Sequence, residues 1–271
     1  MTQRFNKIFT KENSIIGMVH VQAMPATPAF GGNIQEVIDF ALQDAMVLKL
    51  GGVDAIMIEN MHDVPYLKND VGPEVTALMS VVAHEIKKET GLPCGVQILA
   101  GANEAAFAVA KAAGFEFVRA EGFVFGHLAD EGWIESNAGA LLRYRKQIEA
   151  DNILVFTDIK KKHSSHIITS DISLEETAKT AEYFRSDGVI ITGTSTGTST
   201  GRATDLSDIK KVKRNCEIPV LVGSGVTLEN VKDYLAVSDA LIVGSYFKKE
   251  GHWKNEVEYE RVARFMEKCN T

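Results

Sequence analysis

The sequence predicts an α/β fold, a single (β/α)8 TIM barrel with a parallel eight-stranded core, on three observations. Short apolar segments rich in Ile and Val alternate about eight times with segments of helical periodicity, as in repeated βα units. The 271 residues suit such a barrel, which typically has about 250, whereas an open doubly wound sheet more often has about five to seven strands. The connections from helix to strand are short, and those from strand to helix are long and polar.

The apolar segments are short runs of β-branched residues, which is typical of strands buried on both faces. The predicted strands are residues 15–19, 55–58, 95–99, 115–118, 153–156, 188–191, 219–222 and 240–243.

The segments between the strands carry helical stripes and helix-end signals in the same register. After the first strand, apolar residues recur with the spacing of an amphipathic helix from Ile34 to Leu48. Start and stop signals follow at Gly51-Gly52, Pro73, Asn103, Gly114 and the Ser173/Glu176 capping-box pair. Since no Pro/Ser-rich linker or charge block divides the chain, we expect residues 1–271 to form one domain.

The composition bounds the functional classes. A net charge of −7 disfavours general binding to nucleic acid, although a local basic pocket is compatible with it. The longest apolar runs fall far short of the roughly 20 residues of a membrane helix, and no signal or transit peptide is evident, so we expect a cytoplasmic protein without membrane insertion. Cys94, Cys216 and Cys269 are scattered without CxxC spacing, which favours inert thiols over a disulfide framework or structural zinc.

The long connections gather at the carboxyl-terminal mouth, where barrels of this kind place their chemistry. The polar residues at or just past the strand ends are His20, Glu59, Asn60, Arg119, Glu121, Asp158 and Lys160. Charged residues are rarely buried unless paired, so Glu59 and Asp158 are predicted as site carboxylates. The structural alternative is a loop-bracing salt bridge such as Glu59 with Arg119. Alternation along the strand sends Glu59 and Asn60 to opposite sides, and the sequence leaves open which of them faces inward.

Two glycine corners end the last two strands. Gly223-Ser224-Gly225 follows the seventh strand, and Gly244-Ser245 follows the eighth. The loops after these two strands form the phosphate site in many barrels, because glycine lets backbone N–H groups approach an anion. We therefore predict a phosphate site there, with a plain strand-to-helix turn as the alternative.

The loop at residues 192–205 is rich in Gly, Ser and Thr. It lacks the Gly-Lys-Ser/Thr of a Walker A loop, and the segment at 223–228 is not a dinucleotide fingerprint either. The loop at residues 192–205 lies beside the two glycine corners, which favours a mobile flap in which Thr192 and Gly193 help to hold the ligand. Composition alone would equally give a flexible loop.

The basic segment at residues 160–166 follows Asp158 at the mouth. Lys162 and His163 could neutralise an anionic group or transfer protons, while a solvated charged loop is the commoner role of such runs. Other histidines, His62, His84, His127, His166 and His252, are expected at the surface or in loops. A binuclear metal site would require a His-x-His after the first strand, where the chain has His20-Val21-Gln22, so no metal site is predicted. One divalent ion such as Mg²⁺, held by Glu59, Asp158 or the ligand phosphate, is compatible with the residues.

Several motifs together resemble one family. They are IIGMVHVQAMPATP, DAIMIENMHDVPY followed by VGPEV, FVRAEGFVFG with DEGW, LLRYRK, the segment from Asp158 to His163, ITGTSTG and PVLVGSGV. In this order, from about Ile15 to Phe247, they are similar to the BtpA family, which includes the SgcQ-like proteins.

The resemblance implies a ribulose-phosphate-binding-type barrel. The founding members of the family are linked to photosystem I biogenesis, and SgcQ-like relatives carry a nucleoside triphosphatase label. The recurring positions of the family fall on His20, Glu59, Asn60, Asp63, Asp158, Lys162, His163, Thr192, Gly193, Gly223 and Gly225. The fourth loop, AEGFVFGHLADEGW, looks more like the non-photosynthetic members, which argues against a photosystem role for this chain.

Three functions follow from these observations. The first is an enzyme acting on a small phosphorylated metabolite, a sugar phosphate or a nucleotide, in which Glu59, Asp158, His163, Lys162 and His20 carry acid-base chemistry of an isomerase, epimerase or lyase type. The second is a non-catalytic barrel that assists assembly of a complex and exposes an apolar patch. The third is a metal-dependent nucleoside triphosphatase. A homo-oligomer formed through outer helices fits each of them.

Overall fold

The computed structural model describes residues 2–192 and 203–271. Eight parallel strands close into a barrel in the order β1-β11-β10-β9-β7-β4-β3-β2, which confirms the predicted fold class. The strands are β1 (Ser14–His20), β2 (Ala55–Glu59), β3 (Cys94–Gln97), β4 (Phe117–Ala120), β5 (His127–Ala129), β6 (Gly132–Ile134), β7 (Leu154–Ile159), β8 (Ser164–Ser165), β9 (Gly188–Ile191), β10 (Val220–Val222) and β11 (Ala240–Val243). Pairing of β1 with both β2 and β11 completes the barrel.

Helices cover the outside of the barrel. They are α2 (Ile34–Gly51), α3 (Pro73–Thr90), α4 (Asn103–Ala113), α5 (Ala138–Gln147), α6 (Leu174–Tyr183), α7 (Leu206–Asn215), α8 (Val231–Leu235) and α9 (Tyr259–Asn270), with α1 (Thr2–Ile8) preceding β1. Gly52 and Gly114 end α2 and α4 with left-handed φ values of 90° and 73°. Ser173 accepts a hydrogen bond from Glu176 N at the start of α6.

The predicted cap at Asn103 is wrong. Ala102 is the N-cap of α4, and Asn103 is already helical. The Asn103 side chain instead bonds the main chain of Glu121, donating to its carbonyl at 2.7 Å and accepting from its N–H at 3.1 Å. Asn103 therefore fixes the end of β4 rather than the start of its own helix.

Alternate residues of the strands form two separate cores. Ile15, Val19 and Ile56 belong to the outer core under the helices, whereas Ile16 and Met57 belong to a smaller core inside the barrel. The inner core also includes Met18, Ala55, Phe117, Leu154, Phe156, Ile190, Leu221, Ala240 and Ile242. This alternation determines which polar residues reach the mouth from inside.

The amino-terminal helix α1 closes the bottom of the barrel. Phe5 and Phe9 belong to the inner core, and Phe9 packs 5.6 Å from the Phe117 ring and 6.1 Å from the Phe156 ring. Arg4 pairs with Asp187 at 2.6 Å, immediately before β9. The amino end of the barrel is thus filled by aromatic rings.

Carboxylates in the short connections join neighbouring strands at this end. Asp54 accepts a hydrogen bond from Ile15 N at 2.9 Å and pairs with Lys11. In the same arrangement, Glu116 accepts a hydrogen bond from Cys94 N, Asp187 accepts one from Val155 N, and Asp239 accepts one from Val220 N. Their cationic partners are Lys87, Arg145 and Lys213. The short connections at the bottom of the barrel are therefore structural, as sequence analysis predicts from their length.

A small sheet lies beside the mouth. Strands β6, β5 and β8 form it in that order, antiparallel, from the loops that follow β4 and β7. We call this three-stranded sheet, with the turn at Ile167–Thr169, the lid. Strands of two or three residues give almost no periodic signal, which is why the sequence did not predict the lid.

The first and last units are joined by a buried ion pair. Lys248 Nζ, 1% exposed, lies 2.5 Å from Asp44 Oδ2 of α2. Asp44 Oδ1 also accepts a hydrogen bond from Val257 N at 2.7 Å.

In the described part of the chain, no helix combines the length and hydrophobicity that a membrane crossing requires.

Candidate functional site

The side chains that continue the inner core upward form a ring at the mouth. His20, Glu59, Gln97, Asp158 and Thr192 are all less than 9% exposed. Arg119, Gly223 and Gly244 occupy the equivalent positions of β4, β10 and β11, two residues beyond the inner-core residues Phe117, Leu221 and Ile242. Glu59 therefore faces inward, which answers the question that strand alternation left open.

Arg119 and Asp158 form a bidentate ion pair in this ring. Arg119 Nε and Nη2 each donate to one carboxylate oxygen of Asp158 at 2.8 Å. Burial acts against the charge of Arg119, but Asp158, Glu59 and Glu121 together raise its pKa. The structural alternative from the sequence was a salt bridge between Glu59 and Arg119. In the structure Arg119 pairs with Asp158 instead, and Arg119 stays charged.

Glu59 is a carboxyl group with an altered pKa. Burial raises its pKa to about 7, with a further rise from Glu121, while Arg119 and Lys162 lower it in part. A carboxyl group with a pKa near 7 is both protonated and ionised at neutral pH, so it can donate or accept a proton.

Lys162 connects the loop after β7 to the first glycine corner. Its Nζ donates to Ser224 Oγ at 2.9 Å, and its main-chain N–H donates to Thr192 Oγ1 at 3.0 Å. Burial, and next the charge of Arg119, lower the pKa of Lys162. Two cationic side chains, Lys162 and Arg119, thus lie beside Gly223-Ser224-Gly225.

The two glycine corners lie on adjacent strands. A Cβ added at Gly223 would lie 2.6 Å from Ile190 Cγ2 and 3.6 Å from Arg119 Nη2, so only glycine leaves room there. Gly225 has a left-handed φ of 70°. A Cβ at Gly244 would lie 3.2 Å from His20 Nε2, which places the second corner, Gly244-Ser245, beside His20. Gly193 and the loop that follows it to residue 202 lie outside the described residues.

His20 is held as a neutral imidazole. Its Nδ1 lies 2.8 Å from the Trp253 carbonyl oxygen, which can only accept, so Nδ1 carries the hydrogen. Burial, then the charge of Lys248, lower the pKa of His20 to about 3. Its Nε2 is therefore an acceptor beside Gly244.

Asn60 and Asp63 brace the loops around the mouth. Asn60 Nδ2 donates to Asp63 Oδ2 at 2.9 Å, and Asn60 Oδ1 accepts from Leu99 N at 2.8 Å. Asp63 Oδ1 accepts from Met24 N at 2.7 Å. Together they join the loops that follow β1, β2 and β3. His163 is half-buried in the loop after β7, with a left-handed φ of 57°.

Glu121, predicted at the end of the fourth strand, belongs to a second polar group whose other members, Lys161 and Gln97, the sequence analysis missed. Lys161 Nζ pairs with Glu121 Oε2 at 3.0 Å, and Gln97 Nε2 donates to Glu121 Oε1 at 3.1 Å. Gln97 could have been found, since it alternates with Gly95 on the inward face. His127, expected at the surface or in a loop, is instead a buried residue of the lid strand β5, and burial lowers its pKa to about 4.

The described residues contain no cluster of three or more His, Cys, Asp or Glu side chains arranged to hold a metal ion. Arg119 and Lys162 instead bring positive charge to the mouth, beside the carboxylates of Glu59 and Asp158. Charge in this site is thus balanced among side chains.

The model of the BtpA family matches residues 11–271. This chain belongs to the BtpA family. An uncharacterised mitochondrial protein of Caenorhabditis elegans is 44% identical over 262 residues, covering 95% of this chain and 93% of that protein. The photosystem I biogenesis protein BtpA of Synechocystis is 31% identical, covering 96% of this chain and 88% of that protein. An uncharacterised protein of Archaeoglobus fulgidus is 37% identical, with coverages of 94% and 98%.

Solved structures with the same fold include enzymes of phosphorylated compounds. Tryptophan synthase of Mycobacterium tuberculosis aligns with a TM-score of 0.61 at 15% identity, covering 99% of this chain and 97% of that one. Phosphoribosyl anthranilate isomerase of Thermus thermophilus aligns with a TM-score of 0.58 at 13% identity, covering 95% and 98%. At these identities the likeness shows that the BtpA-family chain shares their fold.

Proposed function

We propose that this BtpA-family barrel is an enzyme that binds a small phosphorylated metabolite at its carboxyl-terminal mouth and transfers a proton through Glu59. The observation that carries the proposal is the buried Glu59 carboxyl, with a pKa of about 7, within the electrostatic reach of Arg119 and Lys162. A group that is half-ionised at neutral pH in a site with positive charge is suited to general acid-base catalysis on an anionic substrate.

The phosphate group binds at the two glycine corners in this proposal. Lys162 and Ser224, joined at 2.9 Å, supply a cation and a hydroxyl beside Gly223 and Gly225. Gly244 and Ser245 supply the second corner on the adjacent strand β11. Thr192 completes this side, and Gly193 is proposed with it on the sequence alone.

The other members of the ring take supporting roles. Neutral His20 accepts a hydrogen bond from the ligand through Nε2, and His163 serves as a second proton carrier. Asp158 holds the Arg119 guanidinium in place through both carboxylate oxygens, so it positions a charge rather than moving a proton. Asn60 acts through the loops it braces. The solved structure of phosphoribosyl anthranilate isomerase supports a phosphate site by analogy of fold.

The binding part of the proposal is tested by thermal unfolding with sugar phosphates, nucleotides and inorganic phosphate. A ligand at 100 times its dissociation constant stabilises a protein by about 2.7 kcal/mol. Lys162→Met should weaken such a ligand about 10- to 100-fold, because a hydrogen bond from a charged donor is lost. Lys179→Met, on the exposed face of α6, is the matched control and should leave binding unchanged. A panel in which no phosphate compound stabilises the protein contradicts the proposal.

The catalytic part is tested by hydrogen exchange in deuterated water. With the ligand found above, the wild-type protein should exchange a carbon-bound proton of the ligand, followed by NMR. Glu59→Gln should slow the exchange about 10²- to 10⁴-fold, as expected for loss of a general acid-base group, with the fold retained. Equal exchange rates in the two proteins would remove Glu59 from the mechanism.

Two other functions are distinguished by the same measurements. A metal-dependent nucleoside triphosphatase predicts release of phosphate from nucleotides only when Mg²⁺ is added. A non-catalytic assembly role predicts that the protein exchanges no ligand proton, whether or not a phosphate compound binds, and one observation favours this role as the second candidate. The lid exposes apolar side chains, with Leu128 53%, Trp133 39% and Ile167 80% exposed.

Two expectations from the sequence continue as proposals. We propose a cytoplasmic location, although a relative is named mitochondrial in its own organism. We also propose a homo-oligomer, which sedimentation of the purified protein would measure directly.

A further inference from the structure

Four buried polar atoms, one on β3 and three on the lid strands and their turn, have no hydrogen-bond partner in the described part of the chain. They are Gln97 Oε1, His127 Nε2, Glu131 Oε2 and Ser164 Oγ. Gln97 and His127 are 1% and 6% exposed as whole residues. An unpaired buried polar group costs about 1–3 kcal/mol, so four such atoms require an explanation.

Three of these residues, Gln97, His127 and Glu131, interact with one ion pair, that of Lys161 with Glu121. Gln97 bonds Glu121 directly at 3.1 Å. Burial acts against the charge of Lys161, but Glu121 and, to a smaller extent, Glu131 raise the pKa of Lys161. Burial lowers the pKa of His127, and the charge of Lys161 lowers it further. Ser164 lies three residues after Lys161 and pairs with Ala129 of β5, two residues before Glu131. We call these four side chains and the ion pair the lid cluster.

The lid cluster lies across the mouth from the glycine corners. In the closed order β1-β11-β10-β9-β7-β4-β3-β2, strands β3 and β4 stand opposite β10 and β11. Gln97 ends β3, and Glu121 follows β4 directly. Glu59 stands on the neighbouring strand β2 and interacts electrostatically with Glu121. A ligand whose phosphate lies at the glycine corners would pass Glu59 before it reaches the lid cluster.

The chemistry of the lid cluster favours hydroxyl groups. Lys161 is balanced by Glu121, and Glu131 lies nearby, so a second phosphate would meet carboxylates and an ammonium group would meet Lys161. Gln97 Oε1 and Glu131 Oε2 accept hydrogen bonds, whereas Ser164 Oγ can both donate and accept. Burial keeps the His127 imidazole neutral at pH 7, with its pKa lowered to about 4, so its Nε2 can act in either sense. Hydroxyl groups, which donate and accept at once, match this mixed set.

We propose that the lid cluster is a polyol subsite, and that the phosphorylated ligand of this barrel carries a chain of hydroxyl groups opposite its phosphate. This inference rests on the proposed function and narrows its substrate class to polyhydroxylated phosphates such as sugar phosphates.

The test is a comparison of dissociation constants by calorimetry. The probes are D-glucitol 6-phosphate, D-ribitol 5-phosphate, adenosine monophosphate, inorganic phosphate and propyl phosphate, which has the charge but no hydroxyl groups. At least one polyol phosphate should bind about 10-fold or more tightly than propyl phosphate, since each neutral hydrogen bond contributes about 0.5–1.5 kcal/mol. Gln97→Met and Ser164→Ala should each weaken the polyol phosphate about 3- to 10-fold without changing the dissociation constant of propyl phosphate.

The variants and controls separate the outcomes. Gln147→Met, on the exposed end of α5, should bind all probes as the wild type does. Ser164→Ala lies in the lid and keeps the test valid if Gln97→Met destabilises the barrel. Binding of propyl phosphate as tight as that of the polyol phosphates overturns the polyol subsite alone. Failure of every phosphate probe overturns the proposed function as well, and tighter binding of adenosine monophosphate than of either polyol phosphate replaces the polyol by a nucleotide.

Discussion

At the scale of single residues, pairing determines the role of Asp158, and burial determines that of Glu59. Glu59 and Asp158 face the same lumen, yet Asp158 has both oxygens on Arg119 while Glu59 takes its high pKa from burial first. The two carboxyl groups of this site therefore differ in role, since Asp158 orients Arg119 and Glu59 can change its charge near pH 7.

The raised pKa of Glu59 makes stability depend on pH. Its pKa is about 7 in the folded protein and 4.5 in the ordinary case, so the folded state binds the proton more tightly and loses stability as pH rises between these values. Between pH 5 and pH 8, Glu59→Gln should gain roughly 2–3 kcal/mol in free energy of unfolding relative to the wild type. Urea unfolding at both pH values measures this difference.

The comparison with the variant cancels other groups. Buried His20, with a pKa of about 3, acts in the opposite sense, adding stability as pH rises toward 6.5, but it does so in both proteins. Glu267→Gln, on an exposed position of α9, is the matched control and should follow the wild type. Parallel pH profiles for Glu59→Gln and the wild type would show that the Glu59 carboxyl is not buried in solution.

At the scale of elements, α1 is part of the barrel core rather than a decoration of it. Phe5 and Phe9 pack against the rings of Phe117 and Phe156, which belong to β4 and β7. Arg4 and Lys11 fix the ends of this segment to Asp187 and Asp54. The inner core would otherwise end in exposed aromatic rings.

Removal of one of these rings should therefore destabilise the whole barrel. Phe9→Ala is expected to cost about 3–5 kcal/mol in free energy of unfolding, as for other buried aromatic residues. Phe184→Ala provides the matched control, because Phe184 is 44% exposed and its loss should cost less than about 1 kcal/mol. Denaturant unfolding measures both variants. A cost for Phe9→Ala as small as that of the control would mean that α1 detaches from the barrel in solution.

At the scale of the whole molecule, closure depends on contacts between the first and last units. Strand β1 pairs with β11, and on the outside Asp44 of α2 holds Lys248, which follows β11. These contacts join residues about 200 positions apart in the chain.

Breaking the pair from one side should leave a buried charge without a partner. Lys248→Met is expected to cost about 3–5 kcal/mol in free energy of unfolding, and the double variant Asp44→Asn/Lys248→Met should recover part of it. Lys249→Met removes an exposed pair with Glu256 and should cost no more than about 1 kcal/mol. A double variant no more stable than Lys248→Met would show that the two side chains act independently.

The barrel could be predicted from the sequence because its signals are local. Each strand and each helix carries its own period, so eight units were visible without any knowledge of contacts. The predicted strand ends differ from the observed ones where a main-chain group forms a hydrogen bond outside the sheet. Phe115 was placed in the fourth strand, but its N–H donates to Ala110 O at the end of α4, and β4 begins at Phe117.

The site could be predicted only as a set of rim positions. Which of Glu59 and Asn60 faces inward depends on the register of the barrel, and the partner of Arg119 depends on a contact across 39 positions. The lid cluster depends on strands of two or three residues that leave no pattern of their own. Such non-local pairs are fixed by folding and are absent from any single stretch of sequence.

The rings of Phe5 and Phe9, which fill the amino end of the barrel, limit the route by which a ligand can enter or leave. In the proposed enzyme, substrate and product would both pass through the carboxyl-terminal mouth, because the amino end of the barrel is filled. An excess of product should therefore inhibit competitively with respect to substrate.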